Sequence, residues 1–270
     1  MQKAVERAIS IMWDRYNEPL SLDEMADSAF LSRFYFSRLF RSATGTSPGR
    51  FLAAIRLHKA KNLLLETDMS VTDIAYGVGY NSLGTFISRF TRSVGISPAR
   101  YRWLAENGMP QLARPQASGF PGRGTISGQL TLPEIEVPFK VYVGVFDGPM
   151  VQGLPASCVI LQASGPYLLD DIPPGEWHLR AAAIALDDIA SQPSTRQPLA
   201  VGAYEPITIA PGASITADLT LHPAGIFDLP ILIALPELDS RLPGTGPHRA
   251  RGRIERRAAK PTRLVRAVRP

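Results

Sequence analysis

The chain has 270 residues and a single cysteine, Cys158, so it has no intramolecular disulfide and no paired-cysteine zinc pattern. It has no charge-free apolar run approaching the roughly 18 to 20 residues that cross a bilayer, and Glu6 and Arg7 interrupt its first residues within a helical pattern. A signal peptide and a membrane span are therefore not expected, and a reducing cytoplasm fits. No catalytic signature is present. His58, His178, His222 and His248 are far apart in sequence, and neither Cys158 nor any serine sits in a nucleophile elbow. The last thirty residues, 241–270, hold no aromatic side chain and are basic and dotted with proline, which predicts a disordered tail.

What is present is unevenly distributed. Residues 1–107 carry 14 basic and 10 acidic side chains, residues 108–240 carry 5 and 13, and residues 241–270 carry 10 and 1. The positive ends attract phosphates and the acidic middle repels them. Texture divides the chain at the same places. Apolar spacing is helical from Lys3 to about Glu106, and GMPQLARPQASGFPGR then has linker composition. The organisation expected is a helical domain at 1–107, a linker at 108–122, a β-sandwich at 123–240 and the tail at 241–270, with the two domains tethered rather than fused.

The helical region is duplicated. At an offset of 50, Ser32/Ser82, Phe36/Phe86, Phe40/Phe90, Gly45/Gly95, Ser47/Ser97, Pro48/Pro98 and Arg50/Arg100 are identical, and Phe30/Tyr80 and Phe51/Tyr101 are aromatic pairs. Upstream, SLDEMA at 21–26 matches SVTDIA at 70–75 at an offset of 49, the extra residue being absorbed in the turn. Ser21 and Ser70 cap a short helix in each copy, and Gly45 and Gly95 end a longer one. Phe36, Leu39 and Phe40, like Phe86 and Phe90, form a core face. The opposite face presents Ser32, Arg33, Tyr35, Ser37, Arg38 and Arg41 in the first copy, and Asn81, Ser82, Gly84, Thr85, Ser88, Arg89 and Arg92 in the second. Hydroxyl, amide and guanidinium groups without a carboxylate suit base edges and phosphates. Between the copies, PGRFLAAIRLHKAKNLLLET reads as one long amphipathic helix that buries Leu52, Ile55, Leu63 and Leu64. Two recognition helices fixed on such a rod, at about 32–44 and 81–94, could enter successive major-groove segments of double-stranded DNA roughly 34 Å apart. The bland alternative is an all-helical packing module whose arginines form a solvated face.

Residues 19–104 resemble the AraC/XylS transcriptional regulators, through SLDEMADSAFLSRFYFSRLFRSATGTSPGRFL, IRLHKAKNLL and DIAYGVGYNSLGTFISRFTRSVGISPARYR. The resemblance implies a double helix-turn-helix domain and a sequence-specific transcription regulator rather than an enzyme. It also implies base contacts from Phe34, Ser37 and Arg38 and from Leu83, Gly84 and Ser88. Two features depart from the family pattern. The second copy places Ser88 where the first has Arg38, so the first helix is expected to read sequence and the second mainly to grip the backbone or touch thymine methyls. The DNA-binding domain also opens the chain, whereas family members more often carry it at the C-terminus.

Beyond the linker, GTISGQLTL, KVYVGVFD, CVILQA, YLLDDI, EWHLRAAAIAL and SITADLTL are short β-prone runs separated by Pro/Gly turns, which predicts an antiparallel β-sandwich. Residues 123–222 resemble transthyretin-like or carboxypeptidase-regulatory-like sandwiches, and a small-molecule effector or a protein partner is the expected ligand class. The Pro173-Pro174-Gly175 turn is expected to return Trp177, Leu179 and Ala181 to a core. Asp170, Asp171, Glu176, Asp187 and Asp188 flank turns and read first as solvated loop acids rather than metal ligands, so neither metal nor cofactor is expected. Trp177, Tyr142 and Tyr204 read as core before they read as a pocket. The competing functional reading is an enzyme or ligand carrier in which the β-domain does the main work and the helical domain is an accessory.

Overall fold

The computed structural model describes residues 2–107, 122–186 and 198–234. Linker residues 108–121, Asp187 and Asp188, and the basic tail expected to be disordered lie outside the described residues.

The helical part runs α1 (Gln2–Asp14), α2 (Leu22–Ser28), α3 (Arg33–Thr44), α4 (Pro48–Glu66), α5 (Val71–Gly77), α6 (Leu83–Val94) and α7 (Pro98–Asn107). Local chemistry explains the boundaries. Ser21 accepts from the Glu24 amide while the Glu24 carboxylate accepts from the Ser21 amide, a reciprocal box that satisfies two free donors of α2. Ser70 caps α5 in the same way by accepting from the Asp73 amide at 3.0 Å. Gly45 and Gly95 stop α3 and α6 in the left-handed region, at φ 72 and 93, where a Cβ would be strained.

Two apolar centres form, one for each copy. Phe36, Phe40, Phe51, Leu52 and Ile55 close the first around α1, and Phe86, Phe90, Tyr101, Leu57 and Leu64 close the second. Helix α4 supplies both. It was expected to be amphipathic, but Phe51, Leu52, Ala54, Ile55, Leu57, Ala60 and Leu64 are buried together with the polar His58, Lys61 and Asn62. The reason is that it is wrapped on more than its two repeat faces.

Among the described residues the β part forms two sheets. In one, β4 (Gly165–Ile172), β1 (Gly124–Thr131) and β8 (Ser214–Thr216) lie side by side, with β9 (Leu219–Thr220) also along β1. The other runs β10 (His222–Pro223), β6 (Ala200–Ala203), β5 (Gly175–Ala185), β2 (Phe139–Phe146), β3 (Ser157–Leu161), and β7 (Ile207–Ile209) pairs with β5. Ile126, Leu130, Tyr167 and Leu169 of the first sheet meet Val141, Val143, Leu179 and Ala183 of the second in one core.

Three expectations need correction. The sheets are not purely antiparallel, since β8 and β9 run parallel to β1. No hairpin links these strands, so the returning chain is free to run in either direction. The SITADLTL run is broken between β8 and β9, where the Asp218 carboxylate accepts from the Gln129 amide at 2.8 Å and Tyr167 donates to the Ala217 carbonyl. Finally, Pro173-Pro174-Gly175 is no hairpin turn. It carries the chain from one sheet to the other, because β4 and β5 belong to different sheets. The faces were read correctly: Leu179 and Ala181 are buried and Trp177 packs against the same core.

The two parts are packed together rather than merely tethered. Residues 224–234 leave β10 and run as a strap between α4 and the outer face of the second sheet. Ile231 and Ile233 turn to the sheet, on Tyr142, Phe146, Ala182 and Ile184. Leu232 and Ala234 turn to the second helical core, and Phe227 packs against the first. Lys61, fully buried, donates to the carbonyls of Ile231 and Ile233 at 3.0 and 3.1 Å. This explains why Tyr142 is core and why β2 is buried on both faces, whereas Tyr204 stays exposed.

Burial under this strap has a consequence at His58. Its imidazole is pushed down to about 3, first by burial and then by Lys61 and Lys59. Below the ordinary histidine value near 6.5 the unfolded chain takes up a proton that the fold refuses. The stability that depends on neutral His58 is therefore complete above about 6.5 and is lost as pH falls toward about 3, by up to about 1.4 kcal/mol per pH unit. In urea unfolding of the full chain, a His58→Leu variant should show a shallower decline between about pH 6.5 and pH 4.5 than the parent. Parallel declines would contradict this.

Candidate nucleic-acid interface

Each copy contributes a short helix, a turn and a longer helix, and the turns are built alike. The amide of Leu31 donates to the Ala26 carbonyl at 3.0 Å, and that of Tyr80 to the Ala75 carbonyl at 3.0 Å. This alignment replaces the expected Phe30/Tyr80 pair with Leu31/Tyr80 and Phe30/Gly79. Asn81 is then the extra residue in the second copy. Both aligned positions are left-handed, Phe30 at φ 56 and Gly79 at φ 86. Only the second must be glycine on steric grounds, since a Cβ there would lie 2.9 Å from the Asn17 carbonyl oxygen. Phe30 points into solvent at 83% exposure, with the Arg7 guanidinium 4.9 Å from its ring centre.

The longer helices bury Phe36 and Phe40, or Phe86 and Phe90, and turn the opposite side outward. In the first copy Ser32, Arg33, Phe34, Arg38 and Arg41 are exposed, and Tyr35 and Ser37 are half-buried. Phe34 is 76% exposed under the Arg33 guanidinium, which lies 5.2 Å from the ring centre and 3.8 Å from Asp23. In the second copy Asn81, Ser82, Gly84, Thr85, Ser88, Arg89 and Arg92 are exposed. Leu83 is half-buried against the second core, so it has less of its side chain to offer a base than the resemblance implies. The caps also differ. Ser82 accepts from the Thr85 amide at 3.4 Å, whereas the Ser32 hydroxyl makes no cap bond.

Neither α3 nor α6 contains an acidic residue. Arg89 and Arg56 lie beside the buried Tyr80 phenol, which burial pushes above its usual value while the two guanidiniums pull it back. Arg89 and Arg92 also line a cleft of about 220 Å³ with Arg50, Met150, Gln152 and Leu232. Arg50 was not among the expected contacts. In the β part, Asp171 is engaged by Arg123, whose guanidinium donates to its carbonyl at 2.7 Å and lies 3.3 Å from its carboxylate. Among the described residues no group of three or more His, Cys, Asp or Glu is placed to hold a metal ion, and no helix is long and apolar enough to cross a membrane.

Residues 25–103 match the family model described as a helix-turn-helix domain. The matched segment is a helix-turn-helix domain. Around it, the chain is 39% identical over 89 residues to the HTH-type transcriptional activator RhaS of an Enterobacter species, covering 33% of this chain and 32% of that protein. It is 33% identical over 108 residues to the probable transcriptional regulator LumQ of Photobacterium leiognathi, covering 38% and 44%. Among solved structures, an AraC-type transcriptional regulator from Chromobacterium violaceum is similar at 32% identity and a TM-score of 0.35, over 38% of this chain and 92% of that one. The chain spans less than half the length of these two curated relatives.

The turn geometry fixes one expected outcome. Gly79→Ala puts a Cβ against the Asn17 carbonyl in a left-handed backbone and should cost about 1 to 3 kcal/mol. Gly49→Ala in the first turn of α4, where nothing lies within 4 Å of the added carbon, should instead be neutral or stabilising by up to about 1 kcal/mol. Thermal unfolding of the two variants checks the pair, and equal midpoints would contradict the close approach of Gly79 to Asn17.

Proposed function

We propose that the chain is a sequence-specific DNA-binding transcription regulator whose single copy sets α3 and α6 into successive major-groove segments on one face of a duplex. The observation that carries this reading is the duplication itself. Two turn-and-helix units, each with an exposed side of hydroxyls and guanidiniums free of carboxylates, stand on one buried rod, α4. A solvated helical face has no need of that repetition.

The roles follow from the side chains. Arg38 reads a guanine edge, Ser37 and Ser32 offer hydroxyls beside it, and Phe34 packs on a thymine methyl. Arg33, Tyr35 and Arg41 hold the flanking backbone. In the second unit Gly84 permits close approach, Leu83 and Thr85 touch apolar base edges, Ser88 and Asn81 supply hydrogen bonds, and Ser82, Arg89 and Arg92 grip phosphates. The first helix thus supplies most of the specificity. The two-sheet unit, within 123–240, is the regulatory part, a sandwich of transthyretin-like or carboxypeptidase-regulatory-like type that answers a small-molecule effector or a protein partner. It is joined through the linker at 108–122, and the basic tail at 241–270 adds sequence-independent affinity.

Retention of fragmented host genomic DNA by the purified full chain, near physiological salt and followed by sequencing, tests this reading. A shared motif is the expected result, and Arg38→Ala should relax it at one position at a cost of about 1 to 3 kcal/mol there. Retention without any motif, or an unchanged preference in the variant, would contradict the assignment.

A further inference from the structure

Among the described residues the β part reaches the helical domain at two places, and both bridge the two repeat copies. The first is the loop between β2 and β3. Thr46, just beyond the end of α3, directs its hydroxyl to the Met150 sulfur at 3.9 Å, and Met150 also packs against the second helical core. Three residues on, the Gly153 amide donates to the Ser93 carbonyl at 2.7 Å near the end of α6, and the Ser93 hydroxyl donates to the Gln152 side-chain oxygen at 3.4 Å. One short loop therefore touches the C-terminal ends of both recognition helices.

The second place is the strap. Leu229 packs against both helical cores, Phe227 against the first, and Leu232 and Ala234 against the second. Lys61 holds two of its carbonyls, and the Ala234 amide donates to the Val94 carbonyl at 3.3 Å at the last residue of α6. Without these contacts the copies are joined mainly through α4 and through the approach of Asn17 and Arg56 to Gly79. A 19-residue helix can curve gently, and a small bend moves its two ends apart. On DNA such movement matters, because one base pair of spacing is about 3.4 Å of translation and roughly 35° of rotation.

We propose that the 150–153 loop and the 227–234 strap form a spacer bar that fixes the separation of α3 and α6, and so the half-site spacing the protein accepts. The DNA half of this statement rests on the DNA-binding reading above. Lys61 and Leu232 are positioning residues in it and touch no DNA. The bar grips the C-terminal ends of the recognition helices, which leaves their exposed N-terminal halves available to the duplex.

The test uses the full chain and duplexes carrying its selected half-sites with the selected spacer, or with one base pair more or fewer. The native chain should prefer one spacing by about tenfold or more. Leu232→Asp, which drives a charge into the strap contact, and the milder Lys61→Met, which keeps the packing and removes the donors, should narrow that preference to about threefold or less. Binding of Lys61→Met to a duplex with one half-site should be unchanged. An unaltered spacing profile in both variants would overturn the proposal.

A readout without DNA separates this proposal from the functional reading beneath it. Spin labels at Ser42→Cys and Thr91→Cys, in a Cys158→Ser background, report the distance between α3 and α6. A narrow distribution that broadens with Leu232→Asp or Lys61→Met supports the bar, and an unchanged width in both overturns it. If the native chain selects no half-site at all, the DNA-binding reading fails and takes the spacing statement with it, while the label distances still decide whether the bar exists.

Discussion

The burial of α4 is the constraint on which the rest of the structure depends. A helix that feeds Phe51, Leu52 and Ile55 into one apolar centre and Leu57, Ala60 and Leu64 into the next cannot rotate to improve one without spoiling the other. The two helix-turn-helix units are therefore placed relative to each other by the same side chains that stabilise each of them. His58, Lys61 and Asn62 are costly on a helix so enclosed, and the strap offsets part of that cost at Lys61. Lys61 donates to the Ile231 and Ile233 carbonyls, the Asn62 amide nitrogen lies 3.4 Å from the His58 Nε2, and burial keeps the imidazole neutral.

The helical domain was readable because repetition tests itself. Ser21 with Glu24, Ser70 with Asp73, and the glycines at 45 and 95 are local signals, and each appears twice at nearly the same offset. The exposed sides of α3 and α6 followed from helical spacing alone. The pairing of Phe30 with Tyr80 failed because side-chain likeness was weighed above backbone conformation, which aligns Phe30 with Gly79. A left-handed position held by phenylalanine in one copy and glycine in the other leaves no trace in composition.

The β part was less legible, for a physical reason. Strand patterns give the period of a face but not its partner, so an alternating run cannot say whether its neighbour is parallel or antiparallel. The Pro-Pro-Gly corner looked like a hairpin because turn residues mark a reversal without naming the sheet it leads to. The strap was missed altogether. Residues 224–234 form no regular element, and their alternation of Leu232 and Ala234 against Ile231 and Ile233 serves two separate apolar surfaces.

The central claim is that one copy of the chain reads two adjacent major-groove segments with two units held on α4. Methylation protection at guanine N7 on a selected site, with the full chain shown to be bound as a single copy, tests it most directly. The account predicts two protected patches on one face of the duplex, separated by about one helical turn. A single protected patch under a single bound copy would contradict it.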